Sequence, residues 1–309
     1  MQFGLLALGF VLLVKGADWF VEGASRVAEK FGIPQLVIGL TIVAMGTSLP
    51  EAAVSISAAL KDSAEITIGN IVGSNIMNVF LILGLTSLIT PIAVQKSTVR
   101  FEIPFVVAVS AVLMGLGCTD NVVGRTDGII LWGLMICYLL YLLVMSKKGS
   151  GMAEELPDQD RPMPVWKMLI FIFAGGVMIV VGSDVAVDAA TELARIFGMS
   201  ERLIGLTIVA FGTSLPELVT SVTAAIKGKA DIAVGNIVGS NIFNILFVVG
   251  TSALITPVAY ASNFFLDSIV CIAASMLLWL FVVRNKKLGR AGGACMLACY
   301  AVYFLYLMR

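Results

Sequence analysis

Two glutamates stand in the middle of long apolar stretches, and each ends the same five-residue motif, T-S-L-P-E. These residues are Glu51 and Glu217. The segment G-L-T-I-V-A-M-G-T-S-L-P-E at 39–51 returns at 205–217 with a single substitution. A charge at the centre of a bilayer costs roughly 2.5–3.5 kcal/mol. Two such acids at equivalent positions therefore predict a polar cavity, protonation or bound cations at this depth.

Oxygen-bearing groups surround each glutamate in the sequence. Thr47 precedes the first glutamate by four residues and Thr213 precedes the second by four, so each pair shares a helix face. The proline before each glutamate cannot donate a backbone hydrogen bond and disturbs the preceding turn. We therefore expect carbonyls around Ala44–Thr47 and Ala210–Thr213 to be released from helical bonding. Carboxylate, hydroxyl and carbonyl oxygens are ligands for hard cations such as Ca²⁺ or Na⁺.

A second repeated block supplies further oxygen ligands. The segment G-N-I-V-G-S-N-I-M-N at 69–78 returns as G-N-I-V-G-S-N-I-F-N, displaced by the same 166 residues as the first block. Ser74 and Asn78 are four residues apart, as are Ser240 and Asn244, so each pair presents a hydroxyl and an amide on one helix face. The glycines four apart in each block favour close helix packing. The block is predicted to form the wall opposite the glutamates.

The composition predicts an all-α polytopic membrane protein. Hydrophobic residues make up 59% of the 309 residues and charged residues 13%, with a mean hydropathy of +1.00. Membrane-spanning segments of this kind are helical, because their backbone groups need partners within the segment. We predict ten transmembrane helices, at 2–22, 36–60, 66–90, 101–118, 128–145, 166–190, 203–226, 232–256, 264–283 and 291–308.

The duplication divides these ten helices into two five-helix repeats, which must be inverted because five spans per repeat is an odd number. The first repeat covers 1–145, with its core at about 36–90, and the second covers 166–309, with its core at about 203–256. A short charged linker at 146–165 joins them. With the N-terminus outside, most of the 20 Lys and Arg residues fall in the inner loops. The positive-inside rule therefore predicts a multi-pass protein of the plasma (inner) membrane with both termini outside.

Several function classes are excluded or disfavoured. The chain has no histidine, so it cannot form a His-ligated zinc or copper site or a histidine proton relay. Its five cysteines form no C-x-x-C pair and are interpreted as packing residues. We expect no enzyme activity and no cofactor. The expected partners are the transported ions and the lipid bilayer, with no nucleic acid and no obligate protein partner, so the chain is expected to function as a monomer.

The doubled motif, G-T-S-L-P-E followed by G-N-I-V-G-S-N-I, resembles the α-repeats of the sodium/calcium exchanger branch of the cation/Ca²⁺ exchanger superfamily, in a prokaryotic, membrane-only form. The resemblance covers nearly the whole chain. It implies two inverted five-helix halves in which four central helices carry the ions and the first and sixth helices slide as a gate. It also implies a set of Ca²⁺ and Na⁺ ligands: Glu51, Glu217, Thr47, Thr213, Ser48, Ser214, Ser74, Ser240, Asn78, Asn244 and the carbonyls of Ala44 and Ala210.

The chain departs from some relatives in ways that narrow its function. Potassium-dependent exchangers carry Asp where this chain has Asn244, so potassium co-transport is not expected. The long cytosolic loop of animal members is missing as well. The leading interpretation is a Na⁺/Ca²⁺ antiporter that moves net charge, since the resemblance implies more than two Na⁺ per Ca²⁺. The alternatives are a Ca²⁺/H⁺ antiporter of the same fold and, less favoured by the internal repeat, a cation channel.

Overall fold

The computed structural model describes residues 2–61, 65–149, 163–199, 210–262 and 264–308. Within these ranges the chain is almost entirely helical, with four two-residue strands. The helices are α1 Gln2–Phe31, α2 Gln35–Thr47, α3 Leu49–Leu60, α4 Ile66–Ile89, α5 Thr98–Asp120, α6 Arg125–Gly149, α7 Val165–Ile196, α8 Ala210–Gly212, α9 Leu215–Ile226, α10 Ala230–Ile255, α11 Phe264–Val283 and α12 Arg290–Leu307. The strands are β1 Ile92–Ala93, β2 Val122–Val123, β3 Val258–Ala259 and β4 Lys287–Leu288.

Nine of the ten predicted spans have counterparts in the described residues. Eight helices are long and apolar enough to cross a membrane, and α2 and α3 form a ninth span that is bent by 51°. The chain is therefore an integral, multi-pass membrane protein. Only the second part of the predicted span at 203–226, α8 and α9, is described, because residues 201–209 lie outside the described ranges. The count of ten stays a prediction, and most of the predicted linker at 146–165 also lies outside them.

Helices α1 and α7 continue well beyond their predicted ends. The predicted spans 2–22 and 166–190 correspond to α1, which continues to Phe31, and α7, which continues to Ile196. The apolar stretch ends where charged residues begin, but those charges pair along the helix. In α1, the Arg26 guanidinium lies 2.9 Å from the Glu22 carboxylate, one turn away. Such pairs support continued helix beyond the apolar segment.

The two long helices α1 and α7 pack directly on each other through small residues. A Cβ atom added to Gly16 would lie 2.8 Å from the Gly175 carbonyl oxygen, and one added to Gly175 would lie 2.7 Å from the Phe20 amide nitrogen. Both distances are too short for any side chain, so the two backbones meet at these points. This contact holds α1 and α7 together as one packed pair.

The centre of the molecule is formed by the helices that carry the second repeated block. In the most apolar 18-residue window of α10, 94% of residues are buried, and in that of α4, 78%. The corresponding value for α6 and α7 is 28%, because their outer faces carry exposed apolar residues. Helices α4 and α10, which carry the second repeated block, are thus far more deeply buried than α6 and α7.

The four short strands pair crosswise between the two halves of the chain. Strand β1 pairs antiparallel with β4, with Ile92 opposite Leu288. Strand β2 pairs antiparallel with β3, with Val123 opposite Val258. The displacement of 166 residues that relates the repeated motifs also relates position 92 to 258 and position 122 to 288. The first strand of each half therefore pairs with the second strand of the other half.

Candidate cation site

Both glutamates lie in the first turn of a helix that begins at a break. Helix α2 ends at Thr47, Ser48 is non-helical, and α3 begins at Leu49 with Glu51 in its first turn. In the second half α9 begins after Ser214 and carries Glu217 in its first turn. The proline in each motif occupies the first turn, where its missing N–H is tolerated. Each carboxylate therefore sits at the positive end of a half-helix, which favours negative charge.

The expected release of the Ala44 carbonyl from helical bonding is not found. Its oxygen accepts the backbone N–H of Ser48 at 3.0 Å and the hydroxyl of Thr47 at 3.3 Å. The reason is that the helix continues to Thr47, so the N–H of the next residue, Ser48, still reaches the Ala44 oxygen across the last turn. The hydroxyl of Ser240 donates to the same oxygen at 3.4 Å, so the predicted ligands Ala44 and Ser240 do meet across the two halves.

In the second half, the proline affects the carbonyl four residues before it, which lies within the predicted stretch Ala210–Thr213. Because Pro216 has no N–H, the Gly212 carbonyl cannot accept the usual helical bond. The Ser183 hydroxyl on α7 donates to the Gly212 oxygen at 2.9 Å. No described contact tests the Ala210 carbonyl, which stays a prediction.

Serines from each half bind the glutamate of the other half. The Ser48 hydroxyl donates to Glu217 Oε1 at 2.9 Å, and the Ser214 hydroxyl donates to Glu51 Oε1 at 3.4 Å. Glu51 is 1% exposed and Glu217 is 0% exposed. This reciprocal exchange brings two carboxyl groups that are 166 residues apart in the chain to one buried place.

An amide network beside the carboxyl groups has the same two-fold character. The Asn78 amide nitrogen donates to Asn241 Oδ1 at 3.0 Å, and the Asn244 amide nitrogen donates to Asn75 Oδ1 at 3.1 Å. The Asn75 and Asn241 amide nitrogens donate to each other's backbone carbonyls at 3.2 and 3.3 Å. Because the NH₂ groups of Asn78 and Asn244 are both used in this network, their carbonyl oxygens are left facing away from it.

Four acceptor oxygens of this region have no hydrogen-bond donor among the described residues. They are Glu51 Oε2, Glu217 Oε2, Asn78 Oδ1 and Asn244 Oδ1, and all four atoms are buried. A buried polar atom without a partner costs about 1–3 kcal/mol. The two amide oxygens can only accept, and a carboxylate oxygen likewise accepts and does not donate. A hard cation can satisfy all four, and this donor set of two carboxylates and two amide oxygens suits Ca²⁺ or Na⁺.

The sequence analysis missed a second group of side chains that holds the broken helices in place. The Asn70 amide donates to the Ser55 hydroxyl at 2.9 Å and to the Glu51 backbone carbonyl at 3.3 Å. Asn236 makes the same two contacts, with Ser221 at 2.9 Å and the Glu217 carbonyl at 3.4 Å. Both asparagines belong to the repeated G-N-I-V-G segment, so their recurrence was the available signal.

Three other predicted ligands are the side chains of Thr47, Ser74 and Thr213. The Thr47 hydroxyl donates to Asn236 Oδ1 at 2.9 Å, which ties the end of α2 to α10. Ser74 is 5% exposed and lies in α4, and Thr213 is half-buried between α8 and α9.

The π-helical turns Asn78–Leu83 and Asn244–Val249 begin at the two site asparagines. Such π-turns occur often at functional sites, where they re-aim side chains.

The repeated glycines behave differently in the two halves. A Cβ atom on Gly239 would lie 2.8 Å from the Leu40 Cα atom and 2.8 Å from its carbonyl oxygen, so α10 and α2 are in backbone contact. The equivalent Gly73 has no described atom within 4 Å of such a Cβ. One side of the site is therefore closed by direct contact between α2 and α10.

Comparisons with known proteins agree with this architecture. The family described as "Sodium/calcium exchanger protein" matches residues 1–144 and 167–309. The chain is 32% identical to the sodium/calcium exchanger MaX1 of Methanosarcina acetivorans, over 99% of this chain and 98% of that protein. It is 39% identical to the inner membrane protein YrbG of Escherichia coli, over 98% and 95% of the two chains.

A solved structure resembles this fold throughout its length. The sodium-calcium exchanger NCX_Mj, soaked with Na⁺ and without Ca²⁺, superposes with a TM-score of 0.84 at 35% sequence identity. The similarity covers 97% of each chain. The family match, the full-length relatives and this structural likeness together show that the chain belongs to the sodium/calcium exchanger family, whose members are exchangers of the membrane.

Proposed function

We propose that this protein is a secondary antiporter that exchanges Na⁺ for Ca²⁺ by alternating access. The observation that carries the proposal is the group of four buried acceptor oxygens without donors, on Glu51, Glu217, Asn78 and Asn244. In the complete ligand set these four are joined by Thr47, Thr213, Ser48, Ser214, Ser74, Ser240 and the carbonyls of Ala44 and Ala210.

Charge balance explains why the two ions exclude each other at this site. Among the four side chains with unpartnered oxygens in the candidate site, only Glu51 and Glu217 are carboxylates. Two negative charges balance one Ca²⁺, so Na⁺ ions that occupy the same oxygens prevent Ca²⁺ from binding. If more than two Na⁺ are exchanged for each Ca²⁺, as the family resemblance implies, every cycle moves net charge across the membrane.

The inverted arrangement of the two halves follows from the same proposal. Crosswise pairing of β1 with β4 and of β2 with β3 supports it. Strand β1 follows α4 and β3 follows α10, while β1 and β2 lie at opposite ends of α5. Because β3 pairs with β2, the C-terminal ends of α4 and α10 lie at opposite ends of α5. We propose that both termini lie outside a plasma membrane and that one chain is the transporting unit, since both halves of the site come from the same chain.

A Ca²⁺/H⁺ antiporter is the second candidate. The unpartnered oxygens Glu51 Oε2 and Glu217 Oε2 are places where protons could also bind. Protons and Na⁺ would then compete for the same carboxylates. A cation channel is disfavoured, because the close contact of α10 with α2 at Gly239 closes one side of the site.

Transport in proteoliposomes separates these candidates. Purified protein is reconstituted, and ⁴⁵Ca²⁺ uptake is measured when it is driven in turn by outward Na⁺, K⁺ and H⁺ gradients, with the membrane potential set independently. We expect the outward Na⁺ gradient to drive uptake, K⁺ to have no effect, and an inside-positive potential to change the rate.

The controls give each alternative its own outcome. Uptake that follows only the pH gradient would replace the Na⁺ proposal with the proton one. Ca²⁺ flux that needs no counter-ion at all and equilibrates passively would favour a channel. A Na⁺-driven rate that is independent of voltage would remove the proposal that the exchange moves net charge.

A further inference from the structure

A third buried carboxyl group lies outside the central cation site. Glu102, in α5, is 1% exposed. The Tyr141 hydroxyl on α6 donates to its Oε1 atom. Its Oε2 atom has no donor, and the nearby Tyr138 hydroxyl also lacks a partner. Among the described residues no ion pair includes Glu102, so this buried carboxyl group has no compensating positive charge.

A cavity of about 210 Å³ opens beside this carboxyl group. Its walls are mainly aromatic rings: the Phe105 and Tyr138 rings stack with centroids 5.4 Å apart, and the Tyr138 and Tyr141 rings stack at 6.4 Å. The residues that line it are Phe101, Glu102, Phe105, Cys137, Tyr138 and Tyr141. Tyr138 lies between the other two rings, and an acid beside the outer face of such a stack can recognise ammonium ions through charge pairing and cation–π attraction.

The mouth of the cavity lies on the apolar outer surface. Phe101 at its edge is 59% exposed, and Cys137 is exposed as well. The neighbouring apolar residues Ile136 and Leu140 on α6 are 52% and 57% exposed. In a protein that spans a membrane, a surface of this kind contacts lipid, so a ligand enters the cavity from the bilayer and not from water.

We propose that this cavity binds the ammonium group of an amine-bearing membrane lipid, with Glu102 Oε2 as its counter-ion and the outer rings of the stack, Phe105 and Tyr141, beside it. The site is separate from ion exchange at Glu51 and Glu217 and does not depend on the proposed function. The ammonium supplies the positive charge that the protein itself does not place beside Glu102.

The second half of the chain offers a matched control. Asp267 in α11 accepts the Tyr303 hydroxyl of α12 at 3.0 Å, the same acid–tyrosine contact between neighbouring helices. Asp267 is only half-buried and lines none of the described cavities. Removing its charge tests whether loss of any acid–tyrosine pair alters lipid binding.

The experiment is native mass spectrometry of the purified full-length protein in detergent, titrated with dioleoylphosphatidylethanolamine or dioleoylphosphatidylglycerol. The variants are Glu102→Gln, Cys137→Trp, which fills the cavity but keeps the carboxyl group, and the control Asp267→Asn. We expect the parent and the control to bind the ethanolamine lipid about tenfold more tightly than the glycerol lipid. Both cavity variants should lose this preference.

Each other outcome overturns the proposal. An unchanged preference in Glu102→Gln would show that the carboxyl group is no ligand, and equal loss in Asp267→Asn would assign the effect to structure. If Glu102→Gln does not fold, Cys137→Trp decides, because retained preference in a filled cavity rules out the site. A parallel titration uses dodecylammonium: Glu102-dependent binding of this free amine, without any preference for the ethanolamine lipid, would overturn the assignment to a membrane lipid.

Discussion

Replacement of Glu217 by glutamine tests whether the unpartnered carboxylate oxygens hold the transported cation. Glu217 Oε1 accepts the Ser48 hydroxyl at 2.9 Å, and Glu217 Oε2 has no donor. A glutamine at this position keeps the bond from Ser48 through its carbonyl oxygen. Its NH₂ group then takes the place of Oε2. The change therefore removes one negative charge and points a donor at the cation, while the shape of the side chain is preserved.

The expected loss can be worked from the charges. Two unit charges 4 Å apart attract each other by about 4 kcal/mol at an effective dielectric constant of 20, and a divalent ion doubles this term. Relaxation and water penetration reduce this ideal term, and removal of one partner from a buried charge pair costs about 3–5 kcal/mol in proteins. A net loss of about 3–5 kcal/mol remains, which corresponds to Ca²⁺ binding weakened about a hundredfold to several thousandfold.

The assay is the initial rate of Na⁺-driven ⁴⁵Ca²⁺ uptake against Ca²⁺ concentration, together with Ca²⁺ binding to the purified protein. Ser48→Ala keeps both charges but loses the 2.9 Å hydrogen bond, and a bond to a charged group is worth about 1.5–3 kcal/mol, so its loss should be smaller. Asp267→Asn, which removes a half-buried carboxyl group bonded to Tyr303, should leave uptake unchanged.

The order of these effects decides the interpretation. Ca²⁺ uptake at the parental rate by folded Glu217→Gln would refute the assignment of Glu217 as a ligand. An equal loss in Asp267→Asn would show that removal of a carboxyl group outside the candidate site also disables the protein. The equivalent change Glu51→Gln should follow the same order, because the two glutamates occupy equivalent positions.

Three further predictions follow from particular contacts. Gly239→Ala should impair transport far more than Gly73→Ala, because only the former places a Cβ atom 2.8 Å from the α2 backbone; equal uptake by the two variants would contradict this. Lys227→Ala breaks partly exposed ion pairs with α1 and should lower stability by less than about 1 kcal/mol, with a smaller effect at high salt, as thermal unfolding in detergent would report. Asn244→Asp replaces the NH₂ group that donates to Asn75 Oδ1 at 3.1 Å by an acceptor, and should lower both stability and Ca²⁺ uptake; parental values of both would remove Asn244 from the amide network.

Much of the site could be predicted from the sequence because the chain is duplicated. Recurrence of T-S-L-P-E and G-N-I-V-G-S-N-I identified Glu51, Glu217, Asn78 and Asn244, the four residues of the candidate site that have unpartnered oxygens. Helical spacing placed the serines and asparagines of the second block near one another. The apolar composition predicted the membrane spans, because an apolar segment without internal partners for its backbone is stable in lipid only as a helix.

Contacts between the halves could not be predicted in the same way. Nothing in the spacing shows that Ser48 donates to Glu217 and not to Glu51, or that Asn75 and Asn241 bind each other's backbone. The expected release of the Ala44 carbonyl was wrong, since helical spacing does not fix the residue at which a proline-containing helix breaks.

The sequence by itself determined which chemical groups the centre of this protein contains, because hard oxygen ligands at repeated positions in apolar segments have few other uses. Only the tertiary structure decided which of their atoms are free. Donors in the amide network use up the nitrogen side of Asn78 and Asn244, and the two serines use up one oxygen of each glutamate. The oxygens left over form the proposed cation site, and their position depends on packing between segments 166 residues apart.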